Sequence, residues 1–89
     1  MGINEKSRAR RSLLFVPGLR PDMFIKALSQ PADIVCIDLE DAVAIHRKDE
    51  SRDLTMELFS KKHETTTETM VRINPITTRH GLSDLDSLF

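Results

Sequence analysis

Three carboxylates, Asp38, Glu40 and Asp41, stand at the end of one apolar run, and Arg72 and Asn74 stand at the end of the next. Carboxylates collect Mg²⁺, directly or through its waters. Arginine holds a substrate carboxylate by a two-point grip that lysine does not copy. An acid set beside an arginine is therefore what a metal-chelated keto acid would require. Side chains of a strand alternate between faces, so Asp38 and Glu40 share one face, and Arg72 and Asn74 share one face of the neighbouring strand. If both faces look into one cavity, the acids and the guanidinium converge there.

The same residues have plainer uses. Acids after a strand often cap the next helix, which for Asp41 alone is the better reading. Arg72 and Glu40 have an equal claim to be a structural ion pair. Gly18 suits a tight turn as well as an anion site at a helix start. Asp38 and Glu40 follow Gly18 by about twenty residues, as in a dinucleotide fingerprint, but the other glycines of that motif are absent. His46, His63 and His80 show no metal-ligand spacing and read as surface residues. Cys36 lies inside an apolar run and reads as a small core residue, not a nucleophile.

The elements that must position these groups follow from punctuation and periodicity. Ser12 to Val16 is a short apolar run stopped by Pro17-Gly18, which suits a strand buried on both faces. Pro21 fits a helix start, Phe24, Ala27 and Leu28 follow at helical spacing, and Pro31 prevents continuation. The spacing predicts strands over 12–17, 33–39 and 69–74 and helices over 21–29 and 48–62. The second helix is expected to turn Leu54, Leu58 and Phe59 inward. A further helix has only begun after Gly81. The order is βαβαβα, with strands apolar throughout, which means an α/β fold with a parallel sheet. In such folds reactive groups gather at the carboxyl ends of strands.

The 89 residues carry a formal net charge of −1, which gives no electrostatic reason for a nucleic-acid or membrane partner. The single cysteine cannot form an internal disulfide and fits a reducing, cytoplasmic setting. The apolar run Leu13 to Val16 is too short for a signal core or a membrane span. Residues 1–10 read as a flexible basic arm and residues 11–89 as one α/β domain.

Three motifs in order carry a resemblance. Arg11-Ser12-Leu13-Leu14-Phe15-Val16-Pro17-Gly18 with Arg20-Pro21, then Ile37-Asp38-Leu39-Glu40-Asp41-Ala42-Val43 with Lys48 and Arg52, then Val71-Arg72-Ile73-Asn74-Pro75, resemble the citrate lyase beta-subunit and malyl-CoA lyase family. The resemblance implies the first βαβαβα portion of a (β/α)₈ TIM barrel of the phosphoenolpyruvate/pyruvate-binding type, usually oligomeric. It implies Mg²⁺-assisted carbon–carbon cleavage of a 3-hydroxyacyl thioester of coenzyme A or an acyl-carrier protein, giving an acetyl thioester and a 2-oxo acid. By position, Arg72 matches the arginine holding the oxo-acid carboxylate. Glu40 and Asp41 match the acidic pair acting on the metal through water, and the direct metal carboxylates belong to later strands. Phe15 matches the site lining the substrate end of the first strand, and Lys26 falls where a basic residue can meet the thioester carrier. Leu19 and Ser51 depart from the small polar residue and the alanine common at their positions.

A whole barrel takes about 250 residues, so three strands are expected to be marginally stable alone and without lyase turnover. Phe15 and Ile37 are expected to lose burial, and Asp38, Glu40 and Arg72 to lie in water. The rival from another class is a non-catalytic fragment or partner-dependent module of the same fold. A nucleotide-binding α/β domain lacks its glycine-rich loop.

Overall fold

The computed structural model describes residues 12–89; the basic arm 1–10 and Arg11 lie outside the described residues. Three strands, β1 (Leu13–Pro17), β2 (Ile34–Asp38) and β3 (Glu68–Arg72), alternate with helices α1 (Pro21–Ala27), α2 (Lys48–Phe59) and α3 (Arg79–Leu88). The strands are parallel and lie side by side in chain order. Their register sets Pro17 level with Asp38, and Asp38 level with Arg72, at the carboxyl edge.

Pleating sends Val16, Val35 and Ile37 to the helical side, where they pack with Phe24, Ala27, Leu39 and Leu58. Among the described residues no helix covers the opposite face. There Leu13, Phe15 and Met70 are 44%, 52% and 46% exposed. A first strand buried on both faces is thus not found, because β1 is an edge strand with one uncovered face. The expected loss of burial holds for Phe15 but not for Ile37, which lies on the covered side at 1% exposure.

The second helix also differs from expectation. Its buried residues are Lys48, Ser51, Arg52, Thr55 and Leu58, while Leu54 is half-buried and Phe59 exposed. Close approach explains this choice. A Cβ on Gly18 would lie 2.6 Å from Leu39 and closer still to Ser51 Oγ, so only small side chains fit between helix and loop. Ser51 Oγ has no hydrogen-bond partner among the described residues, whereas Thr55 Oγ1 donates to Ser51 O at 2.9 Å. Gly18 itself has no positive φ, so proximity rather than turn geometry calls for glycine. Gly18→Ala is accordingly expected to cost about 1–3 kcal/mol by overpacking, read as a lower urea midpoint. A midpoint unchanged or raised, as at a glycine whose φ alanine adopts without strain, would show that the close approach imposes no constraint.

The third helix is longer than its sequence suggested. Thr78 caps it, accepting from Gly81 N at 3.0 Å, and Gly81 packs so close to Pro75 O that a Cβ would collide with backbone. Asp84 is fully buried and accepts from Arg52 Nε (2.7 Å), Asn74 N (3.0 Å) and Asn74 Nδ2 (2.7 Å). This one carboxylate ties α3 to α2 and to the segment that leaves β3. His63 and His80 are half-buried rather than surface residues: His63 packs edge-on to Phe24, and His80 Nδ1 lies 3.3 Å from Arg52 Nη2. Cys36 is buried, and its thiol is pushed up by burial and then by Asp38, as suits a core residue.

Candidate active site at the carboxyl edge of the sheet

The register that levels Asp38 with Arg72 brings their side chains together on the uncovered face. Arg72 donates from Nη2 to Asp38 Oδ2 at 2.6 Å and from Nε to Oδ1 at 3.1 Å. Its guanidinium carbon sits 5.0 Å from the centre of the Phe15 ring, within cation–π range. Glu40 Oε1 lies 3.8 Å from Arg72 Nε, and Asp41 Oδ2 lies 3.7 Å from Nη2. Phe15, Arg72, Glu40 and Asp41 are thus gathered at one spot.

Arg72's main partner is therefore Asp38 and not Glu40. Asp38 is the last residue of its strand and stands level with Arg72, whereas Glu40 lies in the loop beyond. Nor does Asp38 lie in water: it is 3% exposed. Asn74 does not join Arg72, because β3 ends at Arg72 and the Asn74 amide is committed to Asp84. Asp41 caps no helix, since α2 starts at Lys48 and has no side-chain cap at its N-terminus.

The loop carrying Glu40 and Asp41 is shaped by two charges. Asp38 Oδ1 accepts from Glu40 N at 2.8 Å, and Oδ2 from Ala42 N at 3.2 Å. From the other side Lys48 Nζ donates to the carbonyls of Leu39, Glu40 and Val43 at 3.0, 2.9 and 3.1 Å. Sequence reasoning placed Lys48 in a motif without a task, since its partners are backbone carbonyls that residue types do not reveal.

Burial alone would raise the Asp38 pKa, but Arg72 and the Glu40 and Ala42 amides outweigh it and hold the carboxyl below its ordinary value. Arg72 is correspondingly raised, first by its bond to Asp38. A depressed carboxylate stabilises the fold above its unfolded pKa, and the stabilisation fades as pH falls through the folded value. The pair is thus fully formed at neutral pH.

Lys26 is exposed in the last turn of α1 and, with Leu14, Phe15 and Met23, borders a shallow groove along the outer edge of β1. Among the described residues no group of three potential ligands could hold a metal ion. Glu40 and Asp41 do supply hard oxygen atoms on the side of Arg72, which suits Mg²⁺ retaining part of its water shell. Asp38, bound by four donors, offers no such oxygen.

A sequence model of the HpcH/HpaI aldolase/citrate lyase family matches residues 11–89. The chain belongs to this family. The citrate lyase subunit beta of Escherichia coli K12 is 37% identical over 83 residues, covering 93% of this chain and 28% of that protein. The corresponding Haemophilus influenzae subunit is 40% identical over 81 residues, covering 91% of this chain and again 28% of the relative. A solved structure of the Mycobacterium tuberculosis citrate lyase beta subunit, complexed with oxaloacetate and magnesium, matches with a TM-score of 0.72 at 34% identity, covering 89% of this chain and 34% of that one. The chain thus spans about three-tenths of the length of these relatives. Its three βα units are the opening segment of the family's (β/α)₈ barrel, and the sheet is not closed. Among the described residues no helix is long and apolar enough to cross a membrane.

Proposed function

We propose that the protein is a Mg²⁺-assisted carbon–carbon lyase that splits a 3-hydroxyacyl thioester of coenzyme A or an acyl-carrier protein into an acetyl thioester and a 2-oxo acid. The observation that carries this reading is Arg72, held by Asp38 and stacked on Phe15, with Glu40 and Asp41 within 4 Å of its guanidinium. Arg72 binds the oxo-acid carboxylate. Phe15 fixes the plane of the guanidinium and keeps one side of the site apolar. Glu40 and Asp41 hold Mg²⁺ through its waters, and Lys26 meets the thioester carrier. Bound there with the oxo acid, Mg²⁺ supplies the charge that stabilises the enolate of cleavage.

The same reading gives residues 11–89 to the barrel domain and residues 1–10 to an arm. It makes the protein a cytoplasmic homo-oligomer without a nucleic-acid or membrane partner, in line with its net charge of −1 and its single cysteine. The rival reading is a non-catalytic module of the same fold.

Turnover separates the two. The full-length protein is expected to convert citryl-CoA or malyl-CoA to acetyl-CoA and a 2-oxo acid, and chelation of Mg²⁺ by EDTA to slow this by at least about a hundredfold. Release of free coenzyme A with the hydroxy acid intact would make it a thioester hydrolase. No turnover of either thioester with Mg²⁺ would make it the non-catalytic module.

A further inference from the structure

Asp38 carries a charge, sits in an acidic cluster and is almost wholly buried, yet none of its oxygens is left for a ligand. A carboxylate offers about four acceptor positions. Here Arg72 Nε and Nη2 and the amides of Glu40 and Ala42 take them at 3.1, 2.6, 2.8 and 3.2 Å. Two of these bonds fix the edge by which Arg72 is held. The other two fold the loop that bears Glu40 and Asp41. With Nε and Nη2 bound to Asp38 and the ring of Phe15 against its face, the guanidinium can present only its Nη1 side to a further anion. A donor fixed in advance loses less freedom on binding.

We propose that Asp38 is a positioning residue that couples the two halves of the site, setting the direction of Arg72 and the placement of the Glu40–Asp41 loop through one carboxylate. This rests on the oxo-acid reading of the site. Its consequence is that Asp38 governs affinity for oxo acid and for Mg²⁺ together, although it touches neither.

The test is titration of oxaloacetate at saturating Mg²⁺, and of Mg²⁺ at saturating oxaloacetate, into the full-length protein. Asp38→Asn is expected to raise both half-saturating concentrations by at least about tenfold, as loss of bonds to a charged group implies. Arg72→Lys is expected to raise the first far more than the second. An Asp38→Asn protein with a lowered melting temperature but both concentrations within about twofold of wild type, far under the tenfold of one lost charged bond, would reduce Asp38 to a structural residue and overturn the proposal. Wild-type protein that binds no oxaloacetate removes the oxo-acid reading and the proposal with it, a result distinct from equal binding by both proteins. If the variant does not fold, the wild-type Arg72 Nε–H resonance decides. Slow exchange with solvent, with and without oxaloacetate, is the expected result, and fast exchange in the free protein overturns the proposal.

Discussion

Replacing Asp84 by alanine is expected to lower stability by about 3–5 kcal/mol, the usual cost of removing one member of a buried ion pair. Asp84 is 0% exposed and Arg52 is 7% exposed. The substitution leaves the Arg52 guanidinium buried with only Asp49 (2.9 Å) and the His80 ring (3.3 Å), of which Asp49 is itself well exposed. It also strips the acceptor from Asn74 N and Nδ2, two donors in a residue 4% exposed. Unpaired buried donors add their own desolvation cost. Domains have total stabilities of about 5–15 kcal/mol, so the loss is a large part of the whole. Urea unfolding of the full-length protein, followed by circular dichroism, measures it. A change under about 1 kcal/mol, the worth of an ordinary hydrogen bond, would show that α3 is held by something other than this carboxylate. Asp84→Asn, which keeps one acceptor but loses the charge, should fall between the two.

Arg72→Lys is expected to weaken oxaloacetate binding by the full-length protein about tenfold to a hundredfold. Lysine keeps the charge, so a role limited to attraction would survive the change. What it loses is the planar fork, which here spends one edge on Asp38 and has the other to offer. An ammonium satisfying Asp38 cannot also hold a carboxylate at two points. It also loses the flat contact with Phe15. Phe15→Leu should share part of this loss, because the apolar floor remains while the cation–π contact goes. Affinity unchanged in Arg72→Lys would leave Arg72 as only the structural partner of Asp38.

Much of this was legible in the residues. Apolar runs closed by Pro17-Gly18, by the acids after Ile37 and by Pro75 marked three strands in nearly their true places, and their ends marked the site. The elements are slightly shorter than the pattern suggests: the helix expected over 48–62 stops at Phe59, and the strand expected over 69–74 spans Glu68–Arg72. What stayed hidden was whatever depends on neighbours distant in sequence. The buried face of α2 is built from Ser51, Thr55, Lys48 and Arg52, because the helix lies against Gly18 and reaches the carbonyls of the Glu40 loop. A hydrophobic pattern cannot show that. Arg72's choice of Asp38 over Glu40 follows from strand register, and Asp84 looks like any surface acid until Arg52 and Asn74 are placed around it. Three parallel strands in chain order also fit an open sheet as well as a barrel. The three motifs, and then the family match, decided for the barrel.

The most direct measurement of the central claim is oxaloacetate titrated calorimetrically into the full-length wild-type protein, once with Mg²⁺ and once after its removal by EDTA. The claim that Arg72 and the Glu40–Asp41 pair form two sides of a metal-dependent oxo-acid site predicts saturable binding with Mg²⁺. It predicts affinity weaker by at least about tenfold without it. Equal affinity in both titrations, or no binding in either, would contradict it.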